Sequence, residues 1–403
     1  MEKPALWNKD FLKMCFSNFF IFMTFYTLAT TLPVYTITDL HGNQSQVGLL
    51  MTAFIIAGVI LRPLAGQWVD RLSKRKVVLI ALLFFFIASV AYLGTSSFLL
   101  LLLLRVFHGA AFGASSTTTG AVAAELIPVE RKGEGISYFS LFMSLAMVLG
   151  PFIGLTVIDQ FNFTVLFALC AVFSLLALLS GGTAKFPPTS REQESMHAKR
   201  LNWRNFVEPK AVPISLTGLI LAIAYSGITT FISIYANELG LGKIASYFFI
   251  FFALLVVLPR PLVGRVLDRY NEHVLVYPGI ALFAVGMVML SSAHTATIFL
   301  LSGAIIGLGY GALIPCFQTL AIKLSPDNRK GVATSTYFSL YDLGFGIGSY
   351  VLGVIATHSN YHTMFFTSAI VVAFTAPAYF ILHHRKHRQP PSHVQVKGQQ
   401  SVH

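Results

Sequence analysis

Residues 62–71 read RPLAGQWVDR and residues 260–269 read RPLVGRVLDR, six identities in ten at a spacing of 198. The same spacing carries Arg131-Lys132-Gly133 onto Arg329-Lys330-Gly331, and Gly109 and Gly113 onto Gly307 and Gly311. One residue further on in register, Tyr138-Phe139-Ser140-Leu141 maps onto Tyr337-Phe338-Ser339-Leu340, and Thr30-Thr31 onto Thr229-Thr230. Several separate segments agreeing on one offset mark an internal repeat. The chain is a duplication.

What is duplicated is apolar. Of 403 residues, 55% are hydrophobic and 11% charged, and the mean hydropathy is +0.71. A soluble domain carries about 25% charged residues, so soluble and disordered classes are excluded. The apolar runs are continuous, as in Val77–Leu93, and do not alternate as the strands of a membrane barrel do. Runs near the roughly 20 residues that cross a hydrocarbon core predict twelve helices, over 12–37, 45–69, 76–94, 98–124, 134–158, 163–182, 212–237, 244–267, 274–292, 296–322, 332–357 and 361–382. The basic start, with Lys3, Lys9 and Lys13, superficially resembles a secretion signal, but no small-residue cleavage site follows and the run continues through Pro33. It is read as the first span.

Charge placement fixes the orientation. Of 28 Lys and Arg, 24 fall on the side of the termini, in the ends, loops 2–3, 4–5, 8–9 and 10–11, and the central loop. The loops of the opposite side hold Lys243 alone, and Arg62, Arg105 and Arg260 lie in or at the edge of spans. By the positive-inside rule both termini are expected in the cytoplasm. The net charge of +12 is thus topogenic, and no nucleic acid is expected. The expected organisation is an N-terminal six-helix bundle (1–182), a cytoplasmic linker (183–211), a C-terminal six-helix bundle (212–382) and a basic tail (383–403). The linker's Leu201, Trp203, Phe206 and Val207 among basic residues suit a short helix on the membrane surface. Cys15, Cys170 and Cys316 all lie in apolar segments without metal-site spacing, so no metal and no cofactor is expected. No nucleotide-binding loop and no nucleophile–base pair stands out; neither an enzyme nor direct use of ATP is expected.

Gly66-x-x-x-Asp70-Arg71-x-x-Lys74-Arg75-Lys76, repeated as Gly264-x-x-x-Asp268-Arg269, resembles the loop signature of the major facilitator superfamily, and the likeness covers essentially the whole chain. Ser73 stands where the family usually has a glycine. The resemblance implies an all-α membrane fold of two pseudo-twofold related six-helix bundles, with substrate handled between them near the midplane. It also implies that Gly66, Asp70, Arg71, Arg75, Gly264, Asp268 and Arg269 form a cytoplasmic gate. Arg105-x-x-His108-Gly109-x-x-x-Gly113 resembles the helix-4 motif of proton-coupled members, and Gly150-Pro151-x-x-Gly154 the helix-5 motif of antiporters. Ala146 and Leu155 depart from the latter.

Asp342 lies about ten residues, hence about 15 Å, into its helix, the one carboxylate so deep. A carboxylate there is a candidate proton or cation site, and Arg105 and His108, on one helix face, are expected to act with it. A fixed salt bridge, conceivably to Arg105, is the rival role for Asp342. Tyr26, Thr30, Tyr225, Tyr337 and Tyr341 are candidate cavity walls for flat lipophilic substrates. The first helix lacks the acidic residue many drug/proton antiporters carry. The expectation is therefore a proton-coupled, alternating-access exporter of drugs or metabolites in a bacterial-type plasma membrane, whose partners are a small molecule, protons and lipid, and for which one chain suffices. The alternatives are a dedicated exporter of an endogenous metabolite such as a metallophore, a proton-coupled importer, and a non-transporting receptor.

Overall fold

A computed structural model describes residues 6–128, 131–186, 207–259, 271–326 and 329–387. Among these residues there are twelve α-helices: α1 Lys9–Thr38, α2 Gln44–Arg71, α3 Lys74–Ala91, α4 Phe98–Leu126, α5 Lys132–Gln160, α6 Phe163–Gly182, α7 Val212–Glu238, α8 Ala245–Val257, α9 His273–Ser291, α10 Ala296–Lys323, α11 Lys330–His358 and α12 Tyr361–Leu382. Eleven are long and apolar enough to cross a membrane. The exception, α8, has 13 residues; residues 260–270, into which the sequence extends this span, lie outside the described residues. There is no strand among the described residues, as a bilayer demands of a chain that satisfies its backbone within helices. The expected surface helix of the linker (187–206) and the end of the tail (388–403) also lie outside them.

The duplication reappears as packing. A Cβ on Gly109 would lie 2.1 Å from the Phe54 carbonyl oxygen, and one on Gly307 would lie 2.2 Å from that of Phe252. A Cβ on Gly113 would meet the Gly58 backbone at 2.3 Å, and one on Gly311 the Val256 backbone at 2.7 Å. Both of these α2–α4 contacts map onto the α8–α10 seam at the same spacing of 198. Helices without side chains at these points can touch backbone to backbone. Helix starts repeat too. Ser97 and Thr295 cap α4 and α10, and Asn162 and Asn360 cap α6 and α12, each accepting a first-turn N–H. Such caps satisfy donors that a helix leaves open.

The two six-helix sets meet mainly through α2–α11, α1–α7 and α5–α8. Away from the termini, Ser45 Oγ and Thr357 Oγ1 are 2.9 Å apart, Thr52 Oγ1 donates to the Gly346 carbonyl at 2.6 Å, and Ser233 Oγ donates to the Thr30 carbonyl at 2.8 Å. A Cβ on Gly48 would sit 2.2 Å from the Ser349 carbonyl oxygen. This far side is closed. Among the described residues, the polar link between the sets that lies nearest the termini is an ion pair of Arg62 with Asp342.

Candidate functional site

Asp342, Gly346, Ser349 and Gly353 recur at helical spacing along α11 and face α2. On α2 the matching face runs from Ser45 through Thr52 to Arg62, nine residues and so about 14 Å from the end of the helix at Arg71. Arg62 Nη1 donates to Asp342 Oδ2, and both side chains are about one-fifth exposed (21% and 18%). The guanidinium also lies 6.0 Å from the centre of the Phe112 ring on α4. Gly344 and Gly348 let α11 press on α7, since Cβ atoms there would be 2.3 and 2.5 Å from the Leu219 and Ile223 carbonyl oxygens. The carboxylate therefore rides on a helix gripped from one side by α7 and exposed on the other to α2.

Beside it stands a wall of tyrosines. The hydroxyls of Tyr341 and Tyr310 are 2.7 Å apart, and Tyr225 stacks on Tyr310 with ring centres at 4.3 Å. Tyr26 stands on α1, its ring centre 6.2 Å from that of Phe22. Tyr26 and Tyr341 are half-buried, while Tyr225 and Tyr310 are buried. One ion pair between two helical sets, next to aromatic faces and hydroxyls, can take either a charged group or a proton.

Arg105 and His108 are not brought to Asp342. Arg105 is fully buried inside the first six helices. It donates to the Leu50 carbonyl (3.4 Å), the Tyr92 hydroxyl (3.4 Å) and Met51 Sδ (3.3 Å), with its guanidinium 4.0 Å from the Phe54 ring centre. Tyr92 also reaches His108 Nδ1 at 3.0 Å, and His108 Nε2 is buried without a partner. The two residues do share one helix face, but that face looks toward α2 and the turn after α3. The rival salt bridge is found, with Arg62 in place of Arg105.

Two expected cavity residues also turn elsewhere. Thr30 is buried, its hydroxyl donating to the Tyr26 and Thr27 carbonyls of its own helix, so it belongs to the α1–α7 seal. Tyr337 is fully buried, with its ring against Gly218 and its hydroxyl on the Ile314 carbonyl at 3.2 Å. The expected gate is partly in view. A Cβ on Gly66 would meet nothing within 4 Å among the described residues, so this glycine makes no close helix approach, and Arg75 is exposed. The side chains of Asp70 and Arg71, and all of Gly264, Asp268 and Arg269, lie outside the described residues. Lys74, within the same motif, bonds Glu125 at 2.5 Å and ties the start of α3 to the end of α4. Gly150 and Gly154 press α5 on α1: Cβ atoms there would be 2.8 Å from Tyr26 Cβ and 3.0 Å from Thr27 Cγ2, and Pro151 is buried between them.

Outside the spans, His383 bonds Glu272 at 3.0 Å and holds its carboxyl at about 2, far below the usual range. Burial pushes the Glu208 carboxyl up, but the bonds from Arg329 and the Lys210 amide outweigh it and leave the group below its ordinary value. No group of three or more His, Cys, Asp or Glu side chains is placed to hold a metal among the described residues.

A family model described as Major Facilitator Superfamily matches residues 14–349 and, again, 278–401. The chain belongs to the major facilitator superfamily. It is therefore a multi-pass membrane transporter and not an enzyme. It is 25% identical over 350 residues to the staphylopine export protein of Staphylococcus aureus, covering 83% of this chain and 86% of that one. It is 22% identical over 383 residues to multidrug resistance protein 1 of Bacillus subtilis, covering 89% and 95%. In fold it matches a bacterial homologue of the human lysosomal transporter Spinster, at a TM-score of 0.79 and 13% identity, over 97% of this chain and 100% of the other. Within this facilitator the sequence missed Arg62 as the partner of Asp342, and Tyr310. The signal for Arg62 was its position inside a span; Tyr310, between Gly309 and Gly311, gave none.

Proposed function

We propose that this facilitator is a proton-coupled exporter of small molecules, built as the two bundles 1–182 and 212–382 and working by alternating access with its termini in the cytoplasm. The observation that carries the proposal is the Arg62–Asp342 pair, which bridges the two helical sets at the last described polar link before the terminal side. Ionised Asp342 on Arg62 holds the far-closed form together. Neutralising that carboxylate, by a proton or by a cationic group of the substrate, removes the link and lets the sets part. The empty, ionised carrier stays locked, so neither species crosses without the other taking its place. That is the condition for exchange: a cation leaves on Asp342, a proton returns on it, and re-forming the ion pair expels the proton inward. Tyr26, Tyr225, Tyr310 and Tyr341 supply flat faces and hydroxyls for an aromatic cation.

The relatives' names support export, since one is called an export protein and another a multidrug resistance protein. A narrower reading, export of one endogenous metabolite, draws on the staphylopine relative, which matches over most of both chains. The test is proton movement in proteoliposomes with an internal pH-sensitive dye and an imposed pH gradient, challenged with lipophilic cations and chelator-type metabolites. Compound-triggered proton flux in wild type and none in Asp342→Asn is expected, and the active compound tells the broad reading from the narrow one. Flux undiminished in the variant, or none with any compound, overturns the proposal.

A further inference from the structure

The far side holds a recess of about 590 Å³, walled by both six-helix sets: the ends of α1 and α5 and the start of α6 on one side, the end of α7, residues 240–245 and the start of α10 on the other. Its size falls in the range of small-molecule pockets, about 300–1,000 Å³. Leu155, Ile158, Phe163 and Leu241 make it largely apolar, and Ser233, whose hydroxyl bonds the Thr30 carbonyl, sits where α7 seals against α1. Two charged side chains line it, Asp159 from one set and Lys243 from the other. Neither is ion-paired to the other or to any other described residue.

Neither charge follows from the helix or loop that carries it. Asp159 is in the last turn of α5, where the helix dipole disfavours a carboxylate. Lys243 is the one Lys or Arg in the far-side loops, against 24 on the terminal side. An apolar recess with one unpaired anion and one unpaired cation complements a molecule carrying one of each.

We infer that this recess binds a small zwitterion, its ammonium on Asp159 and its carboxylate on Lys243, and that occupancy holds the far side closed. The second clause follows from linkage: the walls belong to different six-helix sets, so a ligand touching both favours the arrangement in which they are together. The site is separate from Asp342 and stands independently of proton coupling.

The test uses the purified full chain in detergent, with 4-aminobutyrate, 6-aminohexanoate and 8-aminooctanoate as probes of increasing span, and hexylammonium and hexanoate as single-charge controls. At least one zwitterion should raise the melting temperature saturably while the controls do not. Asp159→Asn and Lys243→Gln, both at exposed positions, should each weaken apparent binding about tenfold or more, as loss of one charged contact implies. The zwitterion should also speed disulfide capture of a Ser45→Cys/Thr357→Cys pair, whose parent hydroxyls are 2.9 Å apart, several-fold. With radiolabelled zwitterion in proteoliposomes, protein-dependent accumulation identifies the occupant as cargo on its path, and inhibition without accumulation as a separate effector. Stabilisation by none of the zwitterions, or equal stabilisation in both variants, overturns the site; an unchanged capture rate overturns its effect on closure.

Discussion

Replacing Gly113 by alanine puts a methyl where α2 and α4 touch backbone to backbone. The new Cβ would lie 2.3 Å from the Gly58 carbonyl oxygen and 2.7 Å from its Cα, about 1.1 Å inside the 3.4 Å at which ordinary contact begins. No side-chain rotation relieves it, so the helices must move apart by about 1 Å and loosen their neighbours. Overpacking of this kind costs about 1–3 kcal/mol. For a unit the size of one six-helix set, 1 kcal/mol moves the melting temperature by roughly 2–4 °C, so a fall of roughly 2–12 °C is expected. The repeat demands the same of Gly311→Ala, whose Cβ would be 2.7 Å from Val256 Cα. Gly66→Ala, inside the loop signature but with nothing within 4 Å of the new Cβ among the described residues, should shift melting by about 1 °C or less. The assay is thermal unfolding of the detergent-purified proteins followed by a thiol-reactive dye on the three buried cysteines, Cys15, Cys170 and Cys316. A Gly113→Ala protein as stable as wild type, or a Gly66→Ala protein that falls as far, would refute the packing argument.

Other perturbations follow from the same contacts. Arg62→Gln and Asp342→Asn should each destabilise the protein, and the double variant by less than the two together, because each single change leaves its partner's charge unpaired in a half-buried site; melting of all four proteins checks this. Arg105→Met should cost no more than about 1 kcal/mol, since among the described residues no carboxylate answers the guanidinium and Tyr92 keeps its bond to His108; a much larger loss by thermal unfolding would show the cation to be structurally required. Glu272, held at about 2 against an ordinary 4.5, contributes stability that is full above pH 4.5 and lost as pH falls toward 2. His383→Ala should therefore be less stable at pH 6 and lose less on acidification, as read by melting between pH 6 and 3. Tyr310→Phe removes one hydroxyl from the pair with Tyr341 and should cost about 1 kcal/mol in stability, with weaker binding of aromatic cations measured by equilibrium dialysis.

The fold was largely legible because a bilayer leaves few choices. A continuous apolar run near 20 residues is a helix or nothing, and basic residues sorted to alternate loops count the spans. The offset of 198 even anticipated which glycines would sit in equivalent seams. Helix-start caps at Ser97, Thr295, Asn162 and Asn360 follow the same offset and were there to be read. The site was less legible, because periodicity gives the face of a helix but not what it faces. Arg105 and His108 do share a face, turned inward to Leu50 and Tyr92. Tyr337 sits one turn before Tyr341 on the same face, but there Gly218 of α7 and Ile314 of α10 close over it. Arg62 and Asp342 are 280 residues apart, and only the assembled α2–α11 contact brings them together.

The central claim is that proton and substrate compete for Asp342. The most direct measurement is proton release on binding: a transported cation is added to purified protein in weakly buffered detergent solution, and the pH change is recorded alongside occupancy. The account predicts close to one proton released per cation bound by a wild type first protonated at Asp342, and binding without release by Asp342→Asn. Saturable binding with no proton release in wild type, or the same release from Asp342→Asn, would contradict it.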